Sequence, residues 1–142
     1  MAIKQLSAFV ENKTGSLLGL VKKLSEQNVN LRAMSVADTK DFGILRIIVA
    51  DADKAREIIG SESLVSVNEV IAVEMSDEAG SLYNILKILG DAKINIEYMY
   101  AFTASTDLGA YVVIRVNDNA AAESVLHANG IPTLNQEGIH GI

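Results

Sequence analysis

The sequence contains no cysteine, no tryptophan and a single proline, and aromatic residues make up only 5 % of its 142 positions. Without cysteine there is no disulfide staple, no thiol redox chemistry and no thiolate metal ligand. The two histidines, His127 and His140, have neither a partner at metal-ligand spacing nor a nucleophile in a suitable context. No metal, no cofactor and no catalytic residue is therefore expected. Positive charge is also in deficit, with 12 Lys and Arg against 18 Asp and Glu and a net charge of −6. Nucleic acids are held chiefly by clustered basic side chains that displace counterions, so no nucleic-acid partner is expected. The one tight basic pair, Lys22-Lys23, suits the solvated face of a helix. Unbroken apolar runs are a few residues long, far below the roughly 20 that span a bilayer. Met1-Ala2-Ile3-Lys4 starts no charged segment followed by a long apolar run. These absences lead us to expect no membrane partner and a cytoplasmic location.

What remains is a chain with 49 % apolar and 21 % charged residues, enough for a packed core, and it reads twice. Thr14-Gly15-Ser16-Leu17 recurs 65 residues later as Ala79-Gly80-Ser81-Leu82. At the same offset Leu20, Val21 and Leu24 fall on Ile85, Leu86 and Leu89, Val29-Asn30-Leu31 on Ile94-Asn95-Ile96, and Met34 on Met99. Gly43 and Asp51 match Gly109 and Asn117 at an offset of 66, one residue having been inserted. Apolar positions match easily by chance. A Gly-Ser-Leu, an Asn between aliphatics and a later Gly recurring in order do not, and we take the chain as a duplication.

Each half has the same succession of periodicities. Ile3 to Val10 alternates as a strand does, and Leu17, Leu18, Leu20, Val21 and Leu24 form a helical stripe ending near Gln27-Asn28. Val29 to Ala37 and Gly43 to Ala50 predict strands around a turn at Asp38 to Phe42. Asp51-Ala52-Asp53 opens a second helix, acid being favoured at the positive helix end. Leu64 to Val67 predicts a short fourth strand. The second half predicts strands at Val70 to Met75, Lys93 to Phe102, Gly109 to Val116 and Ile131 to Leu134, with helices at Ser81 to Leu89 and Asn119 to Ala128. Pro132 fits a strand start or edge, since it lacks an N–H. The expectation is an α+β protein of two ferredoxin-like βαββαβ modules with antiparallel sheets, residues 1–67 and 68–142. A module of that size is marginal alone, so side-by-side pairing of the sheets or a homodimer is expected.

Many functions share this arrangement, so the first strand-to-helix loop has to discriminate. The loops read Glu11-Asn12-Lys13-Thr14-Gly15-Ser16-Leu17 and Ser76-Asp77-Glu78-Ala79-Gly80-Ser81-Leu82. Neither holds the cysteine pair of a copper carrier or the phosphate-holding arginine of an acylphosphatase-like enzyme. Tyr98, Tyr100 and Phe102 are the nearest approach to RNA-binding aromatics, but the charge is wrong. Both loops, each followed by a second strand starting Val29-Asn30-Leu31 or Ile94-Asn95-Ile96, resemble the ACT domain, a regulatory module attached to many enzymes of amino-acid metabolism. The resemblance covers the chain up to about Asn135, and implies a free amino acid bound at the interface between modules, allosteric control of a metabolic enzyme partner, and no catalysis. Thr14 and Ala79 stand where the family often has Pro, and the first copy has Asn12 where the second has Asp77, so the two sites need not bind equally.

The residue types suit a zwitterion. Gly15 and Gly80 mark corners where backbone N–H groups of a starting helix point outward, favourable for a carboxylate. Asn30 and Asn95, each offering a donor and an acceptor, are expected on the strand facing that corner. The candidate ligand-binding set is Asn12, Thr14, Gly15, Ser16, Leu17 and Asn30, with Asp77, Ala79, Gly80, Ser81, Leu82 and Asn95. Met34 and Met99 are expected in the core, and Ile88, where the first copy has Lys23, as an exposed dimer contact. The alternative is a module that has lost its ligand and persists as an assembly surface.

Overall fold

The computed structural model describes residues 2–38, 41–61, 63–102 and 110–140. Among them the order is β1 (Ile3–Glu11), α1 (Ser16–Glu26), β2 (Ala33–Asp38), β3 (Phe42–Ile48), α2 (Ala52–Gly60) and β4 (Val65–Met75), then α3 (Ser81–Asp91), β5 (Ile96–Ala101), β6 (Ala110–Val116), α4 (Asn119–Ala128), β7 (Thr133–Leu134) and α5 (Gln136–His140). Residues 4–68 form one compact unit, here the first, and residues 69–142 with 1–3 form the second.

In the first unit β3 lies between β2 and β1, and both pairs are antiparallel. The Phe9 N–H donates to Leu64 O at 3.0 Å, which lays the start of β4 along β1. Alternation then sends Leu6, Ala8, Leu45 and Ile47 to one face. There they meet Leu20 and Leu24 of α1 and Ala55 and Ile59 of α2, all buried. The second unit repeats the order with β6 between β5 and β4 and with β7 on the other side of β4. Ile71, Val73, Val112 and Ile114 face Ile85, Leu89, Ala122 and Leu126. Burying each of these larger side chains contributes about 1.5–3 kcal/mol. This is the α+β, ferredoxin-like plan that the periodicity predicts, twice over.

Helix boundaries repeat as well. Gly15 and Gly80 precede α1 and α3 with φ of 89° and 91°. A Cβ at either place would meet nothing within 4 Å, so conformation rather than space calls for glycine. Asp51 and Asp118 cap α2 and α4, accepting from Lys54 N at 3.1 Å and Ala121 N at 3.0 Å. The cap of α4 is therefore Asp118, not the expected match Asn117. Asn117 Oδ1 instead accepts from Asn95 N at 3.2 Å.

Several expectations change. The strands expected at Leu64 to Val67 and Val70 to Met75 are one continuous strand, β4. Nothing between them breaks an extended backbone, and hydropathy alone sees only the polar Asn68-Glu69. The second strands begin later than Val29 and Lys93. Asn28 and Lys93 adopt φ of 58° and 59°. Val29 N and Ile94 N then fold back onto Leu24 O and Leu89 O at 2.9 and 3.0 Å, closing each helix by a left-handed turn. Val29, Leu31 and Ile94 consequently pack on the cores before the ladders begin. Ile88 also packs on the second core rather than standing free. Met34 and Met99 pack as expected. The segment beyond the reach of the resemblance carries α5, with Ile139 fully buried and Gly138 N donating to Asn135 Oδ1 at 2.8 Å. Gly109, residues 39–40 of the expected turn and the His140 side chain lie outside what is described. Among the described residues no helix is long and apolar enough to cross a membrane.

Candidate functional site

The first corner follows directly from the change of backbone conformation. After β1 ends at Glu11, Lys13 N donates to Glu11 O at 2.9 Å and Ser16 N to Lys13 O at 3.3 Å, and Gly15 turns the chain into α1. No side chain caps this helix start. Around it lies an open hollow of about 340 Å³ lined by Phe9, Val10, Glu11, Lys13, Gly15, Ser16, Gly19, Leu20 and Ser63. Lys13 Nζ sits 2.8 Å from Glu11 Oε2. The hydrogen bond and the charge of Lys13 hold the Glu11 carboxyl below its ordinary range, and Glu11 raises Lys13 in turn. Both side chains are exposed, so water screens the pair and it adds little to stability. What it supplies is one fixed charge of each sign at the rim.

Of the first-copy candidates, Gly15 and Ser16 line this hollow directly. Asn12 and Thr14 are exposed in the loop, Asn12 N donating to Asp41 O at 3.2 Å. Leu17 is half-buried against the core. Glu11, Lys13, Gly19 and Ser63 line the hollow although the sequence reading did not select them. The charges stood within the quoted loop, and Gly19 was visible as a gap in a helical stripe. Ser63 reaches the corner only because the chain entering β4 runs beside β1.

The second corner has the same backbone and different chemistry. Ser81 N donates to Glu78 O at 3.2 Å, matching the first corner, and Gly80 again has no side-chain cap after it. Ser76, however, is hydrogen-bonded to Ser81, Oγ to Oγ at 2.5 Å. Asp77, Glu78, Ala79 and Gly80 are exposed, as is Leu82 at 37 %. Where the first corner has Glu11 and Lys13, the second has Ser76 and Glu78.

Asn30 does not face the first corner within its own unit, which corrects the expected geometry. The chain descends α1 and returns in β2, so Asn30 lies at the far end of an 11-residue helix, about 16 Å along its axis. There it lines a separate hollow with Val21, Leu24, Ser25, Asn28, Val29 and Leu31. Asn95 occupies the matching place beyond α3, exposed. A βαβ path puts the end of the first strand and the start of the next at opposite ends of the helix, and hydropathy patterns do not register that.

Elsewhere the aromatic residues share one face of the second sheet. Tyr98 stacks on Tyr100 at 6.5 Å, and Phe102 meets Tyr111 at 5.7 Å. Burial first, and then the nearby Glu74, push the Tyr111 hydroxyl up from its ordinary value. His127 is exposed on α4, with Nε2 2.9 Å from Thr133 Oγ1. Among the described residues no group of three or more His, Asp and Glu is gathered as metal ligands would be.

Comparison with known proteins gives a consistent result. The family model described as an ACT domain pair matches residues 1–140. A protein from Bacteroides thetaiotaomicron known from its crystal structure is 34 % identical, with a TM-score of 0.91 over 100 % of this chain and 98 % of that one. The regulatory subunit of aspartate kinase from Thermus thermophilus superposes with a TM-score of 0.62 at 13 % identity, covering 88 % of this chain and 91 % of that one. The corresponding subunit from Thermus flavus gives 0.60 at 12 % identity, covering 88 % and 90 %. At these lower identities the likeness is one of fold. No curated protein matches the chain.

Proposed function

This chain belongs to the ACT domain pair family, and we propose that it is a non-catalytic regulatory protein that binds a free amino acid at its strand-to-helix corners and so controls a metabolic enzyme in the cytoplasm. The observation that carries the reading is the first corner itself. A hollow of about 340 Å³ joins an uncapped helix start to a Glu and a Lys only 2.8 Å apart. A zwitterion offers the complementary pair of charges at similar spacing. Its carboxylate would take the N–H groups at the start of α1 together with the Lys13 ammonium, and its ammonium would take Glu11. One internal ion pair is then exchanged for two with the ligand. Hydrogen bonds to charged groups are each worth about 1.5–3 kcal/mol, enough in total for micromolar to millimolar binding.

The asparagine would then come from another molecule. Asn30 sits too far from the corner of its own unit, so a second copy of the chain would present it, which makes the homodimer part of the reading. The aspartate kinase regulatory subunits that share this fold support a regulatory role.

A thermal-shift screen against the twenty common amino acids tests the proposal. A true ligand at 100 times its dissociation constant adds about 2.7 kcal/mol. Lys13→Ala or Asn30→Ala is expected to remove the response while leaving the unliganded melting temperature in place. A screen in which no amino acid raises it leaves the ligand-free assembly module as the better reading.

A further inference from the structure

Gly19 has no structural reason to be glycine. It lies inside α1, where glycine is a poor helix former, and its φ is not in the left-handed region. A Cβ there would meet nothing within 4 Å. Its N–H donates to Gly15 O at 2.9 Å, as Asn84 N does to Gly80 O at 2.9 Å in the second unit. The backbone thus accepts a side chain at this place, and the second copy has one. What distinguishes Gly19 is that it lines the hollow of the first corner, one helical turn beyond Gly15.

Resting on the proposed amino-acid binding, we infer that Gly19 is the specificity-determining residue that keeps the first corner open, and that the chain takes up one amino acid per copy, in the first unit alone. Three differences at matching positions support this. Asn84 stands where Gly19 leaves room. Ser76 and Ser81 satisfy each other at 2.5 Å where the first corner has Glu11 and Ser16 apart. Glu78 replaces Lys13, so that Asp77 and Glu78 give this rim two negative charges in place of a mixed pair. A ligand carboxylate approaching the second corner meets repulsion rather than an ammonium. The ligand class follows: a zwitterion whose side chain runs over the bare helix surface at Gly19.

Isothermal titration of the full chain, with whichever of the twenty amino acids gives the largest thermal shift, tests this. One site per chain is expected. Gly19→Leu is expected to weaken binding at least about tenfold, and Gly19→Ala less, while both raise the melting temperature of the unliganded protein by restoring helix propensity. Asn84→Leu is expected to leave affinity and stoichiometry unchanged. Two sites per chain, unchanged affinity in Gly19→Leu, or loss of binding in Asn84→Leu overturns the inference and leaves the proposed function standing. If none of the twenty amino acids binds the unaltered chain, the proposed function and this inference fall together. A melting temperature at or above the parent's in the leucine variant distinguishes lost binding from unfolding.

Discussion

Leu24 in the first unit and Leu89 in the second occupy the same place in their helices, and both are essentially without exposure. Five residues earlier the two helices part company, Gly19 in one and Asn84 in the other, both pointing outward. The contrast teaches where a duplicated module is free to diverge. A core position is constrained by several neighbours at once, and changing it leaves a cavity or a clash. A corner position is constrained by its backbone conformation and by whatever it binds. Gly15 and Gly80 kept the first constraint in common, whereas Glu11, Lys13 and Gly19 against Ser76, Glu78 and Asn84 differ in charge and bulk, which is where the proposed binding would differ.

Core variants are expected to act alike in the two units. Leu24→Ala and Leu89→Ala each delete a fully buried side chain and are expected to cost about 2–5 kcal/mol, measured by urea denaturation. A difference larger than the spread between ordinary core sites would mean that the units are not equivalent in packing. Next come the corner glycines. Alanine at φ near 90° is strained by about 1–2 kcal/mol, so Gly15→Ala and Gly80→Ala should destabilise to a similar degree. Only Gly15→Ala should also reduce the amino-acid response in the thermal-shift assay. Equal loss of response in both would erase the functional contrast. Asp51→Ala and Asp118→Ala each remove a side-chain cap and should cost about 1 kcal/mol, again alike.

The smallest effects are in pH, and they differ between units. Because the hydrogen bond and charge of Lys13 lower Glu11, its carboxylate stays ionised down through the ordinary carboxylate range. Ligand affinity should hold through that range and weaken beneath it, and Glu11→Gln should abolish this acid limb. Tyr111 in the second unit is shifted the other way. A folded-state pKa raised above the unfolded one gives stability that is intact below pH about 10 and declines as the pH rises through it. Melting curves of Tyr111→Phe should lack that alkaline component.

Much of the fold was legible because it follows from short-range patterns. The stripe Leu17, Leu20, Val21 and Leu24 specifies a helix and the face it buries, and Gly15-Ser16-Leu17 marks where that helix starts. Asp51 marked a helix start and proves to cap it, whereas its repeat match Asn117 does not cap α4, because Asp118, one residue on, takes that place. The length of β4 was not legible, since a polar pair such as Asn68-Glu69 is consistent with either a break or a continuous strand. Ile88 looked exposed by comparison with Lys23, yet both positions are half-buried, and an isoleucine there packs on its core.

The sequence by itself determined the duplication, which is a match of one stretch of residues to another, and the ferredoxin-like order of elements and the glycine corners, each of which depends on residues within a turn or two of one another. Tertiary structure decided that Ser63 joins the first corner and that Asn30 lies at the other end of α1. Those facts come from the path the chain takes between elements. That path is fixed by the burial of two core faces at once, and a one-dimensional pattern carries the faces but not the distances between their ends.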